Sequence, residues 1–159
     1  MNENETFDLL TTAEADTVRL GQKLAHFAQK GDTFALFGTL GMGKSVLARA
    51  FIRELTGAKE VPSPTFTLLQ SYEAPDFEIY HFDLYRLKSP EEIFEIGMED
   101  ALYGGVCLIE WPEQMGGYLP RDVFRVEFQP EGQGRRITIR AVSPQKQQRL
   151  QQLKAEIND

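Results

Sequence analysis

The residues Gly38-Thr39-Leu40-Gly41-Met42-Gly43-Lys44-Ser45 follow the spacing G-x-x-x-x-G-K-S, a pattern whose chemistry is the cradling of phosphate. Glycines at 38, 41 and 43 let the backbone curl so that successive N–H groups, those of Leu40 and Met42 among them, point inward at anionic oxygens. A helix starting where the loop ends presents its free N–H groups and partial positive charge to the same anion. Lys44 can then reach the β- and γ-phosphates of a nucleotide, and the Ser45 hydroxyl can ligate Mg²⁺. Such a loop reports triphosphate binding, not the use made of the triphosphate. The plain alternative, a Gly-rich turn that merely precedes a lysine, is disfavoured by both flanks: Thr33-Phe34-Ala35-Leu36-Phe37 is apolar and β-prone, and residues 46–55 keep apolar side chains at helical spacing.

A phosphate loop also needs a carboxylate to hold Mg²⁺ or its water, usually at the end of a buried strand. Asp83, after Ile79-Tyr80-His81-Phe82, and Glu110, after Val106-Cys107-Leu108-Ile109, both meet that description. The second run is the more apolar, and Glu is long enough to polarise an attacking water as well. Either acid can instead be a solvated strand end, and the residues alone leave their division of roles open. Thr65 lies in Pro62-Ser63-Pro64-Thr65-Phe66, a proline-stiffened loop where a threonine can sense the γ-phosphate or simply begin a strand. Trp111, the only tryptophan, is either core packing or a lid over the nucleotide. His81 alternates with core-facing positions and reads as structural or surface; His26 has no second His or Cys at metal spacing and receives no role.

These residues require a frame. Thr11 and Glu14 have capping-box spacing ahead of a helix predicted over 12–29, so Thr11 or Thr12 either caps that helix or touches a nucleotide base. Residues 67–72 and 78–83 read as an antiparallel hairpin across Ala74-Pro75-Asp76. Ser89-Pro90-Glu91-Glu92 starts a helix with Ile93, Phe94 and Ile96 facing inward and Gly97 as its stop; a short helical turn covers 99–102. The unbroken apolar run 105–109 is a strand buried on both faces. Residues 123–128 and 136–142 alternate and form an antiparallel pair at the sheet edge, and Pro144 opens a polar, peripheral helix to about residue 157. The expected fold is a three-layer α/β domain like those of phosphate-loop NTPases, with a mixed central sheet flanked by helices, spanning 1–159.

At 159 residues the chain can bury about 70% of its unfolded surface and needs no disulfide. Cys107 is the only cysteine, sits among apolar neighbours and reads as a buried core residue, which fits a reducing cytoplasm. No stretch is long enough for a membrane span, and the start Met1-Asn2-Glu3-Asn4-Glu5 is acidic, unlike a secretory signal. Seventeen Lys and Arg against 24 Asp and Glu give a net charge of −7, which argues against holding nucleic acid by phosphate neutralisation. If RNA is involved, another protein carries it.

Four ordered motifs, residues 38–45, Pro62-Ser63-Pro64-Thr65-Phe66-Thr67-Leu68, His81-Phe82-Asp83-Leu84-Tyr85-Arg86-Leu87 and Ile109-Glu110-Trp111-Pro112-Glu113, closely resemble the TsaE (YjeE) family of bacterial ATPases required for threonylcarbamoyladenosine synthesis in tRNA. The similarity runs over about 11–142. The resemblance implies that ATP and Mg²⁺ bind here and that the protein acts with TsaB and TsaD, touching tRNA only through them. It implies that Lys44 and Ser45 bind phosphate and Mg²⁺, that Thr65 is a switch threonine, and that Asp83 and Glu110 serve metal and water. Trp111 adjoins the nucleotide on the same ground, and Thr12 and Arg135 touch it. Ser45 replaces the family's frequent Thr and keeps the hydroxyl. The rival readings are a small-molecule phosphotransferase with Arg125, Arg135, Arg136 and Arg140 as a lid, a GTP switch, for which N-K-x-D and D-x-x-G are missing, and a nucleotide-sensing module that does not hydrolyse.

Overall fold

Every residue of the run 105–110 is buried, and this strand forms the spine of the fold. The computed structural model describes residues 6–158; the acidic start Met1-Asn2-Glu3-Asn4-Glu5 lies outside them. In chain order the elements are β1 (Thr6–Thr11), α1 (Glu14–Phe27), β2 (Thr33–Phe37), α2 (Lys44–Thr56), β3 (Leu69–Glu73), β4 (Glu78–Asp83), α3 (Met98–Gly104), β5 (Gly105–Glu110), β6 (Phe124–Glu131), β7 (Gly134–Arg140) and α4 (Pro144–Asn158). Two 3₁₀ segments, Pro90–Phe94 and Pro112–Tyr118, flank α3 and β5. The described strands form one mixed α/β sheet in the order β1-β7-β6-β2-β5-β4-β3. Its centre is parallel: β5 pairs in parallel with β2 and β4, and β2 also pairs in parallel with β6. The outer pairs β3·β4, β6·β7 and β1·β7 are antiparallel.

Strand periodicity decides which side chains meet which helices. Ile79, Val106 and Leu108 point with Phe34, Leu36 and Phe124 into the core under α1, α2 and α4. Phe82, Cys107 and Ile109 point the other way, against Ile93, Met98, Ala101 and Met115. The same alternation sends His81, Asp83 and Glu110 to the side of α2. Cys107 is fully buried and burial pushes its thiol up to about 12, as suits a packing residue.

The frame departs from the sequence expectations in four places. β1 was not anticipated, although Phe7, Leu9 and Thr11 alternate in inward direction with Asp8 and Leu10; it covers β7, so the β6·β7 pair does not form the sheet edge. The first helix is not capped by a Thr11–Glu14 box. Asp16 instead accepts from the backbone N–H groups of Thr12 (2.9 Å) and Ala13 (3.1 Å), while the Thr11 hydroxyl donates to the Arg135 carbonyl (3.3 Å). Phe94 does not face inward: it is exposed and meets Tyr118 edge-on, with ring centroids 5.0 Å apart. The C-terminal helix is polar overall but buries Leu150 and Leu153 in the core.

A largely buried ion pair helps to anchor that last helix. Arg149 donates from Nη1 to Asp32 Oδ1 (2.9 Å) and from Nη2 to Asp32 Oδ2 (2.7 Å) and to the Phe27 carbonyl (3.1 Å). Its guanidinium lies over Phe27 and Phe124, 4.7 and 5.2 Å from the ring centroids. Removing it leaves the buried Asp32 carboxylate without its counter-charge and, among the described residues, with only the Gln29 N–H as donor, so Arg149→Ala should lower the unfolding free energy in a urea titration by about 3 kcal/mol. An unchanged midpoint would contradict this anchoring.

Candidate nucleotide site

Three parallel strands end side by side: Leu36 of β2 is opposite Glu110 of β5, and Glu110 is opposite Asp83 of β4. The glycine-rich loop leaves β2 at this same end and runs into α2. Gly43, the N-cap of α2, has φ 110° and ψ 8°, which a residue with a Cβ rarely adopts. The loop, the carboxyl ends of the strands and the start of α2 therefore enclose one cleft of about 530 Å³, in the size range of ligand pockets.

At its floor, Ser45 donates its hydroxyl to Glu110 Oε1 at 2.8 Å, and Glu110 Oε2 lies 2.7 Å from His81 Nε2. Both side chains of the His81–Glu110 pair are almost fully buried. Burial alone pushes the Glu110 carboxyl up, but the hydrogen bond and charge of His81, the Ser45 hydroxyl and the Lys44 ammonium together hold it below the usual carboxylate range. Lys44 Nζ donates to the Gly38 carbonyl at 2.6 Å and sits 3.5 Å from the centroid of the Trp111 ring. Desolvation lowers its ammonium pKa, against the opposing pull of Glu110, Glu113 and Asp83. The Lys44 cation is thus held on a carbonyl and an aromatic face.

Asp83 is held at both oxygens: the Thr65 hydroxyl donates to Oδ2 and the Tyr85 N–H to Oδ1, each at 3.1 Å. Ser63 Oγ lies 2.7 Å from Thr65 Oγ1, so the proline-stiffened loop reaches Asp83 through two hydroxyls. Trp111 has φ 59° and ψ 48°, an unusual left-handed conformation for an aromatic residue, and its ring contacts Tyr85 at a centroid distance of 5.0 Å. This backbone turn directs the indole back toward Lys44.

On the opposite wall, pairing of β1 with β7 sets Thr11 against Arg135. Gly134 is needed there because a Cβ would overlap the Thr11 carbonyl oxygen. Thr12 and Arg135, 123 positions apart in the chain, consequently line the same cleft. So do Leu40, Gly41, Met42, Gly43, Lys44, Ser45, Thr65, Asp83, Glu110 and Trp111. Gly38 alone of the singled-out residues takes part only through its carbonyl on Lys44.

Sequence reasoning missed three contributors: Ser63, the Tyr85 N–H and His81, whose expected structural or surface placement resolves into a buried contact with Glu110. A signal for His81 existed, since it shares strand parity with Asp83 and interrupts the run Ile79, Tyr80 and Phe82. Ser45, Asp83 and Glu110 offer a hydroxyl and two carboxylates, hard oxygen donors of the kind Mg²⁺ takes. Among the described residues no group of three or more His, Cys, Asp or Glu is arranged to hold a metal ion. This donor set suits a cation that also draws oxygen ligands from phosphate and water.

Because the folded Glu110 carboxyl titrates below its ordinary value of 4.5, its ionised form adds stability that is complete above the unfolded pKa and is lost as pH falls through the folded one. The stability difference between the wild type and Glu110→Gln, followed by thermal denaturation, should therefore be constant at neutral pH and drift in the direction of relative wild-type loss below about pH 4.5. A difference that grows in the wild type's favour on acidification would contradict the assignment.

A family model described as threonylcarbamoyl adenosine biosynthesis protein TsaE matches residues 11–138. The tRNA threonylcarbamoyladenosine biosynthesis protein TsaE of Rickettsia felis is 41% identical over 130 residues, covering 81% of this chain and 76% of the relative. The protein of the same name from Bacillus subtilis is 33% identical, covering 83% and 84%. The crystal structure of Bacillus subtilis YdiB superposes with a TM-score of 0.81 over 96% of this chain and 97% of its own, at 26% identity. The fold is that of the phosphate-loop proteins, and the extent and identity of these matches place the chain in the TsaE family.

Proposed function

We propose that this protein binds ATP with Mg²⁺ and hydrolyses it in support of tRNA threonylcarbamoyladenosine synthesis, acting with TsaB and TsaD. The observation that carries the reading is the convergence of Lys44, Ser45, Asp83 and Glu110 in one cleft at the carboxyl ends of three parallel strands. Brought to this chain, the names of its relatives supply the pathway, and the cleft supplies the chemistry.

In this reading the loop N–H groups and Lys44 bind the β- and γ-phosphates, Lys44 leaving the Trp111 face to do so. Mg²⁺ would neutralise phosphate charge, held by Ser45 and Asp83. The Glu110 carboxylate, once Ser45 turns away from Oε1, can orient and deprotonate a water. Thr65 lies against Asp83 and can report the state of the γ-phosphate to the loop around Ser63. Thr12 and Arg135 contact the nucleotide from the opposite wall. The acidic chain reaches tRNA through its partners, in the cytoplasm. No helix among the described residues is long and apolar enough to cross a membrane.

The phosphotransferase reading loses support from its own arginines. Arg136 pairs with Glu131, Arg140 with Glu127, and Arg125 lies over the Phe37 ring, so of that group only Arg135 lines the cleft.

Lys44→Ala should weaken ATP binding, read by Trp111 fluorescence, by about 10–100-fold, the worth of a charge-assisted contact. Glu110→Ala should retain binding within a few-fold and lose turnover by about 100-fold or more. Unchanged affinity in the first variant, or full turnover in the second, would overturn the site assignment.

A further inference from the structure

His81 carries no role in the proposed chemistry, yet its imidazole is buried to 1% exposure with Nε2 2.7 Å from Glu110 Oε2. Its other ring nitrogen, Nδ1, is buried without a hydrogen-bond partner among the described residues. A ring that only packed the sheet would be served better by an apolar side chain, since an unpartnered buried polar atom costs about 1–3 kcal/mol. Position 81 shares its sheet face with Ile79 and lies between Leu108 of β5 and Gln70 of β3, neither of which makes a hydrogen bond to the ring. The retained imidazole makes one polar contact, and that contact is with the carboxylate facing the cleft.

We infer that His81 is a positioning residue, whose Nε2–H donates to Glu110 Oε2 and fixes the carboxylate so that Oε1 faces Ser45 and the reacting water. An ionised carboxylate can only accept, so the imidazole must be the donor through Nε2. With Oε2 anchored, rotation about the last bond of the Glu110 side chain is blocked, and Oε1 keeps its aim when Ser45 releases it. Asp83 reaches the same end by other means, through Thr65 and the Tyr85 N–H. The two acids are thereby distinguished: Asp83 is braced by the proline-stiffened loop and by the backbone just after β4, Glu110 from inside the sheet. Outer-shell partners that orient the ligands of a metal site commonly contribute about 10–100-fold to activity, and the same order is expected of His81 behind Glu110.

This inference rests on the hydrolysis reading, and the test separates the two. ATP turnover with Mg²⁺ is measured in the full chain with TsaB and TsaD for wild type, His81→Leu and His81→Gln, alongside nucleotide affinity. The ¹⁵N–¹H imidazole spectrum of the nucleotide-free protein is recorded for wild type and Glu110→Ala. His81→Leu should lose about 10–100-fold in kcat with affinity within about threefold of wild type, and His81→Gln, whose amide N–H can still donate, should recover most of the loss. The spectrum should show His81 protonated at Nε2 with a hydrogen-bonded proton whose signal shifts in Glu110→Ala. Wild-type turnover in His81→Leu, or protonation at Nδ1 alone, overturns the inference. No turnover by the wild type overturns the hydrolysis reading, and this inference with it. Should His81→Leu fail to fold, His81→Gln and the imidazole spectrum decide: an unrescued kcat or an unshifted proton overturns it.

Discussion

Parallel pairing of β5 with both of its neighbours is the constraint on which the cleft depends. It aligns Leu36, Glu110 and Asp83 in one row, so the phosphate loop and both carboxylates emerge at the same end of the sheet. A slip of one residue in β5 would turn Glu110 to the face of Cys107 and Ile109, away from α2. Burial on both faces makes that slip prohibitive, since it would also exchange Val106 and Leu108 between two differently shaped cores. Packing of apolar residues far from the cleft thus sets the positions of the groups inside it.

Within this frame the charged groups of the cleft find partners among neighbouring residues. Glu110 serves Ser45 and His81, Asp83 serves Thr65 and Tyr85, and Lys44 rests on Gly38 and Trp111. Buried charges persist only with such partners. On the proposed reading Lys44 and Ser45 exchange these contacts for phosphate and cation on binding, while the Tyr85 N–H and His81 stay on the two carboxylates. The left-handed backbone at Trp111 is part of this arrangement: a strained conformation, of order 1–3 kcal/mol, keeps the indole against the lysine.

Much of this was legible in the chain. The spacing of 38–45, the apolar run into Glu110 and the strand ending at Asp83 are local patterns, and each marks an element that the fold keeps. What stayed hidden is non-local. β1 pairs with β7 across more than 120 positions, so nothing near Thr12 points to Arg135, and the Thr11 hydroxyl spends its donor on a distant carbonyl rather than on a helix cap. His81 could be placed on a strand, but its partner on the neighbouring strand is fixed by register, which no single segment records. Helical spacing points Phe94 inward, whereas its short 3₁₀ segment turns at a different period and leaves it exposed beside Tyr118. Arg149 lies beyond the span of the family match, and its anchoring of α4 through Asp32 is likewise a long-range contact.

Leu40 of the cleft lining is exposed, as are Phe66 and Tyr85, neighbours respectively of Thr65 in the chain and of Trp111 in space, and the cleft's lysine and serine are held by the protein's own groups. On the proposed reading, hydrolysis should be slow in the chain alone and gain when partners cover the nucleotide. The decisive measurement is phosphate release from ATP by the full chain alone and with purified TsaB and TsaD. The account predicts a low rate that rises when both are added; an absent rate in either state, or a rate indifferent to both with no complex formed, would contradict it.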